Sequence, residues 1–338
     1  MLALAFATVV VPVATSPSPA LAHGPVAPVA LDYLARVTEV PEGLVAKVVD
    51  GDQRMWLRVP AGETVVVLDY RGAPYLRFSP VGVEVNKNSA MFYLNQTPLA
   101  LTPPARLLRT TPPKWEPVAG GHEFGWHDAR LSALAATAIR PGADYVGRWR
   151  IPIVLAGSPS AISGGLWHAD PPSIVWLWPI LVIVLCTLAA WRLQDPRLDS
   201  STARLLALGA LAAVATAAIG RGLHGRPGLS VFQLVELGLI LTFVLWGLFR
   251  VLVQRAGYFS YFAIAGVALW QGLTMIPTLF NGFVLIALPA FVARAATVLA
   301  LGTAAGLWLM VFRLFDQREE SSPTGEFEQD DDGAWELA

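Results

Sequence analysis

The sequence predicts an exported all-β head, an immunoglobulin-like sandwich, followed by a bundle of five transmembrane helices. Three observations predict it. From Ser173 to Trp191 no residue is charged, a run long enough to cross a hydrocarbon core of ~30 Å as a helix. Four more apolar segments follow that run. Before it the chain is polar, punctuated by proline, and alternates apolar and polar residues in short stretches, as half-buried strands do. Composition agrees: 54% of residues are hydrophobic and 14% charged, against about 25% charged in soluble domains. The net charge of -1 provides no global field to attract nucleic acid or anionic lipid, and no nucleic-acid partner is expected.

The chain begins MLALAFATVVVPVATSPSPALAHG. An apolar run leading to Ala20-Leu21-Ala22 places small residues where signal peptidase needs them, so residues 1–22 are expected to be a signal peptide cleaved after Ala22. No Lys or Arg precedes Arg36, so the usual basic n-region is missing. Cleavage there makes His23 the mature N-terminal residue. Its α-amine and Nδ1 form a chelate which, with a second imidazole, gives a three-nitrogen site suited to copper. The candidate second ligands are His122 and His127. Met-rich runs that would hold Cu(I) are absent.

Residues 23–170 read as one sandwich. Leu44–Val49, Met55–Val59, Thr64–Leu68, Tyr75–Phe78 and Val83–Val85 are extended, separated by turn signals such as Asp50-Gly51-Asp52 and Pro60-Ala61-Gly62. Prolines 103, 104, 112, 113 and 117 mark a long irregular connection. A second set of strands follows near Phe124–Arg130, Tyr145–Ile153 and Ala161–Trp167. A strand over Trp126–Arg130 puts Trp126, Asp128 and Arg130 on one face, an ion pair beside a packed indole, with His127 on the other face. Cys186, the single cysteine, falls in the first apolar segment and is expected to be a small buried hydrophobe, so the head has no disulfide.

Two patches stand out, Gly72-Ala73-Pro74-Tyr75-Leu76-Arg77-Phe78 continuing through Gly82–Asn86, Asn88-Ser89 and Tyr93-Leu94-Asn95, and Gly121–Arg130, which contains Trp126-His127-Asp128-Ala129-Arg130. The pair resembles a group of actinobacterial membrane proteins of unassigned function, whose exported domain carries G-E-P-Y-L-R-F, G-V-x-x-N, S-P-x-x-Y-L-N and W-H-D-H-R. The resemblance covers most of the head and continues loosely into the membrane half. Here Ala73 replaces the acidic residue, Ala90 the proline and Ala129 the second histidine. If W-H-D-H-R is a metal motif in the group, losing that histidine weakens a metal reading of this chain. A mature N-terminal histidine ahead of a sandwich is also architecturally similar to CopC-like copper-handling envelope proteins. His168, just before the membrane, reads as an interfacial residue. No nucleophile elbow, phosphate loop or H-E-x-x-H is present, so no enzyme is expected.

The membrane half, residues 171–315, divides into spans 173–192, 203–221, 229–252, 258–279 and 283–313, the last either tilted or opening with an interfacial piece before Pro289. Trp176, Trp178 and Trp191 bracket the first span as interfacial aromatics do. Arg192, Arg197, Arg204, Arg250, Arg255, Arg313 and Arg318 fall on one side. By the positive-inside rule that side is cytoplasmic, giving a multi-pass plasma-membrane protein with its head outside and its C-terminus inside. The basic turn Arg221–Arg226 is an exception.

Polar groups at membrane depth are costly unless paired. They are Gln233 and Glu236 in the third span, Gln271 in the fourth and Arg294 in the fifth. The depths of Glu236 and Arg294 differ by roughly 6 Å at 1.5 Å per residue, close enough for an interhelical pair. Met275-Ile276-Pro277 is a candidate kink, with Met275 a candidate soft ligand. Alanine-rich stretches in the second and fifth spans suit close packing, within the chain or against other membrane subunits. The acidic tail, residues 316–338, is expected to be disordered. The leading functional expectation is a non-catalytic scaffold or accessory subunit of the cell envelope. Copper handling is the alternative and transport a second one.

Overall fold

The structure, a computed structural model, describes residues 28–96, 101–132, 144–254 and 256–321, with side chains as far as Phe315. The proposed signal peptide, His23, Arg255 and residues 322–338 lie outside the described residues. The chain divides into two compact units, residues 33–169 and residues 29–32 together with the segment from 170 onward. The first strand, β1 (Ala30–Leu31), belongs to the second unit.

In the first unit the order is β2 (Tyr33–Glu39), β3 (Val45–Val49), β4 (Arg54–Arg58), β5 (Val65–Leu68), β6 (Pro74–Ser79), β7 (Gly82–Asn86), the short helix α1 (Ala90–Leu94), β8 (Trp115–Ala119), β9 (Glu123–His127), β10 (Tyr145–Leu155) and β11 (Ser158–His168). One antiparallel sheet has the order β2-β11-β10-β5-β6-β7-β8 and a second the order β3-β4-β9. The inward residues of both sheets form one core: Met55 and Leu57 from β4, Val65 and Val67 from β5, Phe124 and Trp126 from β9, Ile151 and Ile153 from β10. Each such side chain contributes about 1.5–3 kcal/mol relative to exposure. The period-2 burial of Val65 and Val67, with Val66 and Leu68 only half buried, is the alternation read in the sequence.

Turn chemistry fixes the registers. Asp50 and Gly51 both have positive φ, 60° and 79°, after β3. β10 and β11 form a hairpin whose two-residue loop is Ala156-Gly157, at φ 48° and 81°. That left-handed pair matches the twist of the flanking strands, although asparagine is the favoured residue at the first position. The long connection holds more structure than its prolines imply: β8 lies within it, and Pro117 is tolerated because β8 is an edge strand. β2 also went unread in the sequence, despite alternation bounded by Pro41 and Gly43.

Gly164 and Gly165 sit where rings cover the sheet on both faces. The Trp149 ring lies over Gly164, so a Cβ there would overlap that ring and the Arg36 carbonyl. The Trp149 indole Nε1 donates to the Gly165 carbonyl at 2.9 Å.

In the second unit a short 3₁₀ turn, Ile174–Leu177, leads into α2 (Trp178–Leu193). Then come α3 (Pro196–Gly222), α4 (Val231–Leu252), α5 (Tyr258–Met275), a 3₁₀ turn over Ile276–Leu279, β12 (Phe283–Val284) and α6 (Ala290–Ser321). Among the described residues five helices are long and apolar enough to cross a membrane, 174–193, 196–222, 231–252, 258–279 and 290–315. The second begins earlier than expected because Asp195 caps it, its side chain accepting from the Arg197 amide at 2.8 Å, with Pro196 in the first turn. The fifth begins later: residues 283–289 lie outside the helix. Pro277 ends α5 rather than kinking it, and Met275 is buried against Val29, Ala217 and Ala293. Residues 316–321 continue α6, so the first part of the acidic tail is helical.

α6 packs against α2, α3 and α5, and glycines permit the approach. A Cβ at Gly302 would meet Ile183 at 2.8 Å, at Gly306 the Thr187 hydroxyl at 2.9 Å, and at Gly272 Leu301 at 2.7 Å. These are the close contacts that small residues allow between membrane helices. Cys186 is exposed on α2, on the side away from its neighbours, rather than buried as expected.

Candidate functional site

The two patches singled out in the sequence meet in the head. Asp69 ends the β5 hairpin arm, and its Oδ1 accepts from the amides of Arg71 (2.8 Å) and Ala73 (2.9 Å). This is the local turn that a short acidic side chain favours. Its Oδ2 accepts from the Ser89 hydroxyl at 2.9 Å, and the Ser89 Oγ in turn accepts from the Met91 amide to cap α1. Asn86 Oδ1 accepts from the amides of Asn88 and Lys114, and its Nδ2 donates to the Pro74 carbonyl at 2.7 Å. Asn95, just after α1, donates from Nδ2 to the Tyr75 hydroxyl at 3.0 Å and to the His127 carbonyl at 2.9 Å. Asn95 therefore ties β6, in one sheet, to β9, in the other.

Beside it lies the second cluster. The Asp128 side chain is 0% exposed. It accepts from Trp126 Nε1 (3.0 Å), from Arg130 Nε (2.7 Å) and Nη2 (2.6 Å), and from the Arg130 amide (3.2 Å). The ion pair beside a packed tryptophan is as expected, with one difference: Arg130 is not on the strand. It sits in a 3₁₀ turn, Ala129–Leu131, that Asp128 caps, and reaches back to the carboxylate. Arg130 Nη1 also donates to the Leu68 carbonyl at 3.1 Å. Tyr70 completes the junction, its hydroxyl accepting from the Ala129 amide at 2.9 Å while Arg130 stacks 5.2 Å from its ring centre. Burial, reinforced by the Asp128 charge, raises the Tyr70 phenol above the ordinary range. Burial also raises the Tyr75 phenol strongly, against the opposing hydrogen bond from Asn95. Both phenols are held neutral.

Of the candidate copper ligands the structure describes only His122 and His127, the two alternatives for joining His23. His122 and His127 stand at opposite ends of the stretch paired with β4, the His122 carbonyl accepting from the Val59 amide while His127 is register partner to Arg54. Five residues at ~3.3 Å each separate them by about 16 Å, so they are not ligands of one ion. His23 lies outside the described residues. Among the described residues no group of three or more His, Cys, Asp or Glu side chains is placed to hold a metal.

In the membrane half the polar residues find partners other than those expected. Glu236 is 3.9 Å from Arg221 of α3, not paired with Arg294. Arg221 also donates to Gln271 Oε1 at 3.3 Å and to the Thr274 hydroxyl at 3.4 Å, joining α3, α4 and α5 at one end of the bundle. Gln233 forms a capping box with Ser230 and donates to the His224 carbonyl at 3.1 Å. Arg294 donates to the carbonyls of Thr278 (3.0 Å), Asn281 (3.3 Å) and Gly282 (3.1 Å), the unsatisfied acceptors where the 3₁₀ turn ends. That loop receives residues 29–32. β1 pairs with β12, Leu285 N donates to the Val29 carbonyl at 2.8 Å, and Gly282 N donates to Asp32 Oδ1 at 3.1 Å. At the opposite end Asp199, buried in the first turn of α3, faces Arg313 of α6 at 3.5 Å.

Sequence reasoning missed Asp69, Tyr70, Asp199 and the inward role of Arg221. Asp69 carried a signal, an acidic residue before a Gly72 turn. Arg221 carried one too, since a basic residue on the wrong side of the charge pattern needs a partner.

No family model, curated protein or solved structure matches the chain.

Proposed function

We propose that this integral membrane protein is a non-catalytic scaffold or accessory subunit of the cell envelope, with its head as the exported binding domain. One observation carries the reading: the polar residues of both motif patches are spent on holding the head together. Asn86, Ser89, Asn95, Asp128 and Arg130 each bond to neighbours within the same unit. A carboxylate fully engaged by an indole and a guanidinium is poorly placed to act as a general base, which needs a free lone pair within reach of substrate. In the bundle, Arg221, Gln271 and Arg294 likewise bridge helices and cap carbonyls, and transport would need further ionisable groups through its depth.

The proposed orientation is head outside, C-terminus in the cytoplasm. Arg221 and Arg226, which break the charge pattern, support it by turning inward, Arg221 to Gln271 and Arg226 to the Leu285 carbonyl at 3.4 Å. The remaining described arginines of the loops fall on the opposite side.

The test is isolation of the full chain from its own membranes in native lipid discs, alongside flux measurements on the reconstituted protein. A stoichiometric membrane partner, with no solute or ion flux above empty vesicles, is the expected result. A chain that isolates alone and supports saturable flux would overturn the reading in favour of transport.

A further inference from the structure

The outer face of the β2–β11–β10 part of the head carries a patch that the motif clusters do not use. Register places Trp167 opposite both Leu34 and Tyr145, and Gly165 opposite both Arg36 and Arg148, with Arg150 two residues further along β10. Directly paired residues point to the same face, so these six side chains share one surface. Gly165 makes the arrangement possible. Lacking a side chain, it lets the rings of Trp167 and Tyr145 fold over it, where a Cβ would stand 2.7 Å and 2.9 Å from them. The two rings meet edge to face at 5.6 Å, and the Arg36 guanidinium lies 5.5 Å from the Trp167 ring centre. Tyr145 is nonetheless 53% exposed. Arg148 is partly engaged by Glu39 and Ser163, and Arg36 and Arg150 are exposed.

The patch lies where the head joins the rest of the chain. Tyr33, the first residue of β2, and His168, the last of β11, are register partners. Both chain connections to the membrane half therefore leave the head side by side. Trp167 precedes the first membrane helix, at Ile174, by seven residues, a reach of at most about 25 Å. Aromatic side chains with one apolar and one polar end, flanked by guanidinium groups, favour the headgroup layer.

We propose that this face docks on the bilayer surface, Tyr145 and Trp167 seating among the headgroups and Arg36 and Arg150 meeting anionic lipid phosphates. The head is thereby held against its own membrane, whatever partner it binds. Each guanidinium near an anionic surface strengthens such docking about fivefold.

The single cysteine permits a direct test. In full-length Cys186→Ser protein, an environment-sensitive label is placed at Tyr145→Cys, or at Val81→Cys in the β6–β7 turn as a control, Val81 being 83% exposed. Both are reconstituted in discs of phosphatidylcholine alone or with phosphatidylglycerol. A lipid-borne quencher should quench the label at 145, more strongly with phosphatidylglycerol, and should leave the label at 81 to aqueous iodide. Arg36→Gln with Arg150→Gln should cut the phosphatidylglycerol increment at least several-fold. Trp167, which stays in place in all these proteins, keeps the neighbouring ring of the patch. If the label at 145 is as open to iodide as that at 81 in both lipids, the docking is refuted. Quenching at 145 that ignores both lipid charge and the arginine substitutions would refute the phosphate contacts.

Discussion

Replacing Asp128 by alanine is the sharpest test of the view that the W-H-D-x-R stretch is structural. The substitution strands the Trp126 indole N–H, whose ring is among the largest fully buried groups, at a cost of about 1–3 kcal/mol for a buried donor without an acceptor. It also strips Arg130 of a two-point carboxylate contact. Removing one member of a buried ion pair costs ~3–5 kcal/mol. Arg130 keeps its bond to the Leu68 carbonyl, and its side chain is 17% exposed, so water offsets part of the loss. Because both costs arise at one carboxylate and water offsets part of the second, Asp128→Ala should cost at least about 3 kcal/mol, and Asp128→Asn, which keeps one carbonyl oxygen, about half as much. Hydrogen exchange read by mass spectrometry on the full chain reports it locally, as lost protection in peptides covering β4 and β9. Arg130→Ala in the Asp128→Ala background should add little, a coupling of at least ~1 kcal/mol. A cost below about 1 kcal/mol, with the two substitutions additive, would refute the structural assignment and make Asp128 a ligand-binding candidate.

Three further outcomes are expected. Ala156→Asn should stabilise the head by about 0.5–1 kcal/mol in denaturant unfolding, because Ala156 holds a left-handed conformation that asparagine tolerates better. Tyr75, with its phenol pushed up by burial, keeps its proton in the folded head at a pH where the unfolded chain has lost it. The folded state then binds more protons, so stability falls as pH rises past about 10. A tyrosinate absorbance titration should show a late, cooperative rise that is smaller in Tyr75→Phe. Arg294→Leu should leave the three carbonyls of the 278–282 loop without their donor and abolish exchange protection at Leu285, while protection in β5 and β6 is unchanged. Arg294→Lys should restore only part of it, since an ammonium lacks the guanidinium fork.

The bundle was nearly legible because the signal that identifies a membrane helix, a long uncharged run, is local. Its ends were less so: Pro196 starts α3 several residues before the apolar run begins, the intervening turn being polar and held by the Asp195 cap. In the head, alternation located β3 to β7 and the last hairpin. β8 was hidden by Pro117, which is compatible with a strand only at a sheet edge, and edge position is a property of topology. The Asp128–Arg130 pair was legible since its members are two residues apart. The acceptance of the Trp126 N–H by Asp128 was not, nor were the bonds of Asp69 to Ser89 and of Asn95 to Tyr75 and the His127 carbonyl, which depend on how distant segments meet. The Glu236–Arg294 expectation failed because depth along a helix says nothing about azimuth. α6 turns Arg294 toward the loop after α5, while α4 turns Glu236 toward α3.

The pairing of β1 with β12 bears on biogenesis. It joins residues 30 and 31 to residues 283 and 284, with the whole head and four of the five membrane helices lying between. During synthesis from the N-terminus the head's own sheet can close once His168 has emerged, since β11 is the partner of β2. The β1 segment must wait for another 115 or so residues of chain before its partner strand exists. Closing so long a loop is entropically expensive and slow. The Val29–Asp32 segment is thus a late-setting clasp: its protection from protease would report that the chain has been made through the fourth membrane helix and β12, long after the head has become compact.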